Sequence, residues 1–451
     1  MSILKLYKNY NENSKIVIKN VLGAFIVKGL SLVVSFITIP VFIQYFNNDS
    51  LVLGVWYTLL SLLMWFLNFD LGIGNGIRNY LVKALSHQDF DEAKKIISSG
   101  IFSIGILTGI LSIIGILIVY CLDWNRIFNV DSSIISSEVI TLSATYVFIA
   151  VMLRFFLTIV TSIFYALQKS AINNLLALIV SVLQLIYILL SKHSSTEEAI
   201  LNVSFAYIFI SNLPILLAGI IIFFRDLKHC RPSIKCIDKE HIKSIVNIGA
   251  VFFLCQVLYM ILSNTNEFFI TNLYSADSTT EYTFYYKVAT FGTMIITLAL
   301  APVWSVVTKA QAQQNWEWLN KIYKYIKIGG VLILIVQLMI IPFVPLIMDV
   351  WLGKGVVEVN HITSLAFVLY GALFTYSGML STIGNGLAMM KPQLISFSIA
   401  VIFKIMLLLL FSAETSWVFV MWVNSIVLIP YLIIQQRALN QYFKLNISIV
   451  E

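Results

Sequence analysis

Ile101-Phe-Ser-Ile-Gly-Ile-Leu-Thr-Gly-Ile-Leu-Ser-Ile-Ile-Gly-Ile-Leu-Ile-Val-Tyr120 carries no charged side chain. A helix rises ~1.5 Å per residue, so a run of roughly 20 such residues crosses ~30 Å of hydrocarbon with every backbone polar group satisfied inside the segment. A transmembrane β-strand would instead read as ~10 residues of alternating polarity. That alternation is missing, which sets a barrel aside. Working outward, comparable apolar runs predict twelve spanning helices, at about 21–43, 51–69, 99–122, 139–162, 172–191, 201–224, 246–272, 284–306, 328–350, 362–385, 393–412 and 416–435.

Composition agrees with this reading. Of 451 residues, 59% are hydrophobic and only 11% charged, and the mean hydropathy is +0.90. Such a chain has too little polar surface to enclose a water-soluble core, so it reads as an integral membrane protein.

Orientation follows from where lysine and arginine fall. One side holds Lys5, Lys8, Lys15 and Lys19, then Arg78, Lys83, Lys94 and Lys95, then Lys169. The same side holds Arg225, Lys228, Arg231, Lys235, Lys239 and Lys243, then Lys309, Lys321, Lys324 and Lys327, and finally Lys391, Arg437 and Lys444. The opposite side has Arg126, Lys192 and Lys354. Both termini are therefore expected in the cytoplasm. The net charge of +7 and pI near 9.0 call for no nucleic-acid partner, because a basic inner rim facing anionic lipid accounts for them. No small-residue cleavage pattern follows the first span, which reads as a signal anchor. Cys121, Cys230, Cys236 and Cys255 lack C-x-x-C spacing, so free thiols are expected, with no metal and no disulfide.

A weak repeat divides the chain. Ala166-Leu167-Gln168-Lys169 before one apolar run is echoed by Gly386-Leu387-Ala388-Met389-Met390-Lys391-Pro392 before another. With twelve spans this predicts two six-helix lobes in parallel repeat, 1–224 and 246–451, joined by a cytoplasmic linker at 225–245 and followed by a short cytoplasmic tail.

Polar residues inside the spans carry the functional signal. Lys28, Ser31, Ser35 and Thr38 share one helical face, as do Arg154, Thr158, Thr161 and Tyr165. Further stripes are Gln256, Tyr259, Ser263 and Glu267; Lys287, Thr290, Met294 and Thr297; and Thr58, Ser61, Trp65 and Asn68. A charge at the bilayer centre costs at least ~2.5–3.5 kcal/mol, so these stripes must face one another or water. One reading is structural: hydroxyls bonded across helix interfaces, and ion pairs such as Lys28 with Asp70 or Lys287 with Glu267. The other is a water-filled cationic cavity, because Lys28, Arg154, Lys287 and Lys404 outnumber Glu267 and the shallower Asp70. Lys28 also lies close enough to the cytoplasmic surface to snorkel, and Glu267 has the character of a proton or cation site.

The second predicted span ends in Leu67-Asn68-Phe69-Asp70-Leu71-Gly72-Ile73-Gly74-Asn75-Gly76-Ile77-Arg78-Asn79. Gly72, Gly74 and Gly76 break the helix and permit tight backbone approach or hinge motion. No strand precedes them and no G-x-x-x-x-G-K-[ST] sequence occurs, so neither a nucleotide loop nor an ATPase is read here. Gly54-Val55-Trp56, Ser61-Leu62-Leu63-Met64-Trp65, Phe69-Asp70-Leu71-Gly72-Ile73-Gly74-Asn75-Gly76, Arg78-Asn79 and Asp91-Glu92-Ala93-Lys94-Lys95 resemble the opening of Wzx-type polysaccharide flippases. These form a branch of the multidrug/oligosaccharidyl-lipid/polysaccharide exporter (MOP) superfamily.

The resemblance implies an all-α, MATE-like fold in the bacterial cytoplasmic membrane, with a V-shaped cavity between two lobes. It implies alternating-access translocation of undecaprenyl-diphosphate-linked oligosaccharide, typically O-antigen repeats, to the periplasmic leaflet. A polysaccharide polymerase and a chain-length regulator are the implied partners besides the bilayer. No cofactor is implied, apart from H+ or Na+ as a candidate coupling ion, with Glu267 and Asp70 as the carboxylates available for coupling or for structure.

The residues suit that cargo. Arg154 offers bidentate hydrogen bonds to phosphate, whereas Lys28, Lys287 and Lys404 act as point charges. Trp65, Tyr259 and Tyr165 are candidate sugar contacts, and Gly72, Gly74, Asn75, Gly76 and Arg78 form the hinge motif. A multidrug exporter of the same superfamily is the alternative, and it would call for an anionic lumen. A polymerase or ligase would need a substantial outer loop, yet the longest outer connection, about 123–138, is short; no enzyme is expected.

Overall fold

Helices form every long element of the computed structural model, which describes residues 12–47, 49, 52–56, 59–60, 72–128, 130–132, 134–274, 276–352, 354 and 358–447. No strand occurs among them. In hydrocarbon this is the economical solution, because a helix pairs its backbone groups within itself. The first elements are α1 (Glu12–Tyr45), α2 (Ile73–Ser86), α3 (Phe90–Cys121), α4 (Ser137–Ala166), α5 (Ser170–Leu190), α6 (Thr196–Arg225) and α7 (Lys239–Asn264). They are followed by α8 (Asn266–Leu273), α9 (Ala276–Ala312), α10 (Trp316–Ile340), α11 (Val344–Leu352), α12 (His361–Gly386), α13 (Lys391–Phe411) and α14 (Phe419–Ile447).

Among the described residues, 9 helices are long and apolar enough to cross a membrane, and 10 if α9, bent by 42°, counts as one span. The protein is thus a multi-pass membrane protein. The second predicted span, 51–69, lies largely outside the described residues. The seventh, predicted as continuous over 246–272, is broken instead: α7 ends at Asn264 and α8 starts at Asn266.

The chain divides into two compact units, one covering Ile18–Ala250 and the other chiefly Val251–Glu451. Each is organised around a buried helix. In the N-terminal unit α4 packs against α2, α3 and α6, and 67% of its apolar window is buried. In the C-terminal unit α12 packs against α9, α10 and α14, with 56% buried. The opening stretch of sequence lies on α3, only 17% buried, where Ile106, Ile110, Ile113, Ile114 and Leu117 are exposed at helical spacing. Its other face buries Ser98, Ser99, Ser103 and Thr108. That division is an apolar face for lipid and a small, polar face for helix contact.

One turn recurs twice in each unit. Gln88 and Gln168 in the first, Gln314 and Ala388 in the second, all take left-handed backbone with φ of 54–60°. Each follows a helix end whose last carbonyls are then satisfied in the same pattern. His87, Gln88 and Asp89 donate to Lys83, Leu85 and Ala84, and Leu387, Ala388 and Met389 donate likewise to Ile383, Asn385 and Gly384. After two of these turns an Asx side chain caps the next helix: Asp89 accepts from Glu92 N at 2.9 Å, and Asn315 from Trp318 N at 3.1 Å.

The connection 225–245 is packed on the N-terminal unit. Ser233 N donates to Ser98 Oγ and Asp238 N to Ser99 Oγ, both at 3.0 Å. His241 bridges Glu92, at 2.8 Å, and Asp238. Its hydrogen bonds hold the Asp238 carboxyl below the usual value.

The glycine motif shows why its residues are small. Gly72 takes φ 70° at the start of α2. A Cβ at Gly76 would lie 2.8 Å from Ile248 Cγ2 and 3.0 Å from Ile245 O, while one at Gly249 would lie 3.1 Å from Ile73 N. Glycines on both helices therefore let α2 and α7 cross almost backbone to backbone. The close approach is seen directly.

Candidate functional site

Most stripe serine and threonine hydroxyls among the described residues turn back on their own helices. Thr158 and Thr161 donate to Phe155 O and Thr158 O at 2.6 and 2.7 Å, Ser31 and Thr38 to Val27 O and Val34 O, Ser263 to Tyr259 O and Thr290 to Tyr286 O. This bonding hides a hydroxyl proton in the preceding turn and leaves the oxygen free to accept. The stripes therefore owe their character to the cations set among them.

Arg154 lies midway along α4, half-buried in a cavity of about 160 Å³ between α4, α5 and α6. Val151, Ala177 and Val180 form apolar walls, and Tyr207 and Ser211 supply polarity. Its one hydrogen bond among the described residues runs from Nη1 to Ser211 O at 3.0 Å. No carboxylate there is within ion-pair distance of it. A guanidinium has five N–H donors, so most of this one's, at the cavity wall, have no acceptor among the described residues. Neighbouring Asn212, donating to Ala150 O at 3.0 Å, keeps a buried Oδ1 unpaired. Apolar walls lower the local dielectric and strengthen attraction to any anion that enters.

Lys28 is half-buried on α1 with no hydrogen-bond or ion-pair partner among the described residues, and Lys287 on α9 is exposed, its Nζ 5.8 Å from the Trp351 ring centroid. Lys404 is different. It is wholly buried on α13, and its Nζ donates to Leu262 O at 2.9 Å, Ile261 O at 3.2 Å, Thr265 Oγ1 at 3.1 Å and Asn266 Oδ1 at 2.8 Å. Glu267 is exposed at the start of α8 and makes no ion pair with Lys287 or Lys404. Asp70, its companion carboxylate, and Trp65 lie outside the described residues, as do Thr58, Ser61 and Asn68.

Two predicted residues meet in a way their positions in sequence did not suggest. Arg78, buried on α2, sets its guanidinium 4.5 Å over the Tyr165 ring at the end of α4. One face of that ring is thereby covered by a cation rather than open to a sugar. Gly74 is buried and Asn75 half-buried on the same first turns of α2. Tyr259 sits in an aromatic cluster, stacked on Phe374 at 5.2 Å and tilted against Phe397 at 6.0 Å. Sequence reasoning missed Tyr207, Ser211 and Asn212, although Ser211-Asn212 inside an apolar run is a signal of the same kind as those it used.

Solved structures resemble this architecture over nearly the whole chain. A MATE crystal structure in the bent conformation superposes with a TM-score of 0.74 at 15% identity, covering 97% of both chains. The fold is that of the MATE transporters. A multidrug resistance MATE transporter of the MOP superfamily, in its outward-facing conformation, gives 0.73 at 15% identity, again over 97% of both chains. A MOP superfamily transporter from Pyrococcus furiosus, described as having a binding pocket of reversed polarity that suggests a different function, gives 0.70 at 14% identity over 96% of this chain and 97% of that one. No protein-family model and no curated protein matches the chain. At this identity the likeness speaks for the fold alone.

Proposed function

We propose that the protein is a flippase carrying undecaprenyl-diphosphate-linked oligosaccharide, an O-antigen or related surface-polysaccharide unit, from the cytoplasmic to the periplasmic leaflet of a bacterial inner membrane by alternating access. The observation that carries the reading is Arg154: a basic side chain midway along an apolar helix, lining a cavity, with one backbone carbonyl as its acceptor and no carboxylate in ion-pair distance among the described residues. A diphosphate is an acceptor-only group that matches such a fork, and its transfer from water is offset by charge-assisted hydrogen bonds. Lys28 and Lys287, neither in an ion pair among the described residues, supply further positive charge. The hydroxyl oxygens of the stripes offer acceptors to sugar hydroxyls.

The motif resemblance of the first hundred residues to Wzx-type flippases supports the same cargo, and the MATE fold supports a transporter rather than an enzyme. A reversal of pocket polarity on this fold has a precedent in the Pyrococcus furiosus protein. A proton or Na+ gradient is the proposed energy source, with Glu267 as the coupling carboxylate, and a polymerase and chain-length regulator are the proposed partners. The second reading, a multidrug exporter, draws on the multidrug relative with the same fold.

Expression in a strain lacking its own flippase separates the two. Restored surface polysaccharide in at least one of several repeat-unit backgrounds, without a change in resistance to cationic drugs, is the expected result. Raised drug resistance, with no polysaccharide in any background, would favour the exporter.

A further inference from the structure

The break between α7 and α8 surrounds Lys404 with oxygen. Carbonyls of a helix's last turn lack the amide partners of its interior, and two of those ending α7, Leu262 O and Ile261 O, accept from the Lys404 ammonium, Ile261 O also accepting from Thr265 Oγ1. Thr265 Oγ1 and Asn266 Oδ1 complete a set of four acceptors at 2.8–3.2 Å. Asn266 is held in the orientation that presents its oxygen. Its Nδ2 donates to Ser263 O at 3.1 Å and to Tyr282 Oη at 3.2 Å, while Asn424 Nδ2 donates to the same Oδ1 at 2.7 Å. Phe269 adds a ring centroid 5.6 Å from Nζ. Among the described residues no carboxylate is within ion-pair distance, and Lys404 is 0% exposed.

Carbonyls in the last turn of a helix, a hydroxyl and an amide oxygen, all aimed at one buried positive charge, are an arrangement by which membrane proteins hold a dehydrated monovalent cation. The helix dipole favours positive charge at the same place. We propose that Lys404 is a built-in cation: its ammonium occupies a site of alkali-ion type at the α7–α8 break, so the C-terminal unit holds this break together without bound Na+ or K+. The side chain arrives from α13, so the charge is tethered and cannot leave. The consequence is that a coupling ion does not occupy these four oxygens, which leaves the exposed Glu267 carboxylate free to act outside the cage. Shortening Lys404 to alanine leaves the oxygens in place and the charge absent, and a free cation then has a site to enter.

The test is thermal unfolding of the purified full-length protein in choline, sodium, potassium or methylammonium chloride at equal ionic strength. The parent should unfold at the same temperature in all four. Lys404→Ala should unfold roughly 5 °C or more lower in choline, and methylammonium, sodium or potassium should recover at least half of that loss with saturation. A deficit identical in all four salts would overturn the proposal, as would a parent that responds to sodium as strongly as the variant. Should Lys404→Ala be lost from choline-extracted membranes, its recovery as folded protein in one of the other salts supports the proposal, and its loss from all four overturns it. Lys404→Met, which keeps the chain length without the charge, should be destabilised in every salt. Parent-like stability of Lys404→Met would show that no positive charge is required.

Discussion

Arg154 and Lys404 both lie inside apolar helices, yet the two units surround them in opposite ways. Around Lys404 the protein supplies four oxygens for three ammonium protons and closes the site completely. Around Arg154 it supplies one carbonyl and leaves a cavity. Burying a cation without a counter-ion is costly in either place. In the first the cost is offset by oxygens of the fold itself; in the second, on the proposed reading, it is offset by the bound diphosphate. An intramembrane basic residue is thus a functional candidate in proportion to the donors that its own protein leaves without acceptors.

The sharpest way to break this contrast is Asn266→Leu, which removes one acceptor of Lys404 and the group that Asn424 and Tyr282 meet. Stability should fall by about 3 kcal/mol in denaturant unfolding, against about 1 kcal/mol or less for Arg154→Ala. Equal losses would erase the distinction. Next in size is Arg154→Lys, which keeps the charge and loses the planar fork. Initial rates of lipid-linked glycan transfer in vesicles should drop about tenfold, and an unchanged rate would mean that a point charge suffices.

A smaller effect is expected at the packed connection of the N-terminal unit. His241→Ala releases Glu92 and Asp238 and should cost about 1 kcal/mol locally, visible as faster hydrogen exchange at the Ser233 and Asp238 amides. Exchange as slow as in the parent would show that Ser98 and Ser99 hold the connection alone. The smallest change in stability belongs to Glu267→Gln, an exposed carboxylate beside the Lys404 cage. It should shift unfolding by less than about 0.5 kcal/mol, while the dependence of transport on an imposed H+ or Na+ gradient weakens. Undiminished gradient dependence would remove Glu267 from coupling.

Hydropathy made the all-helical membrane architecture legible, because lipid demands the same long apolar run wherever a helix crosses. The lipid-facing stripe of α3 needs no tertiary information. The break at Thr265 was passed over although Ser263-Asn264-Thr265-Asn266-Glu267 interrupts the apolar run, because the flanking residues were merged into one span; of the four acceptors around Lys404, only the two backbone carbonyls have no signature in a sequence. Lys404 looked like Arg154 on that account.

The recurring turn left only a partial trace in the sequence. Gln168 and Ala388 fall in the two segments that the sequence paired, but Gln88 and Gln314 were passed over, since a left-handed glutamine carries no obvious mark. Gly76 was read as a place of close approach, whereas its partner Gly249, on a helix far away in sequence, became apparent only once α2 and α7 were seen to cross.

The most direct test of the central claim is the rate of lipid-linked glycan translocation per folded molecule, measured in vesicles from the flippase-deficient strain for the parent and Arg154→Ala. A loss of about tenfold or more, with folded protein and thermal midpoint close to the parent's, is the predicted result. Equal rates per folded molecule would contradict it, and would return Arg154 to the same structural class as Lys404.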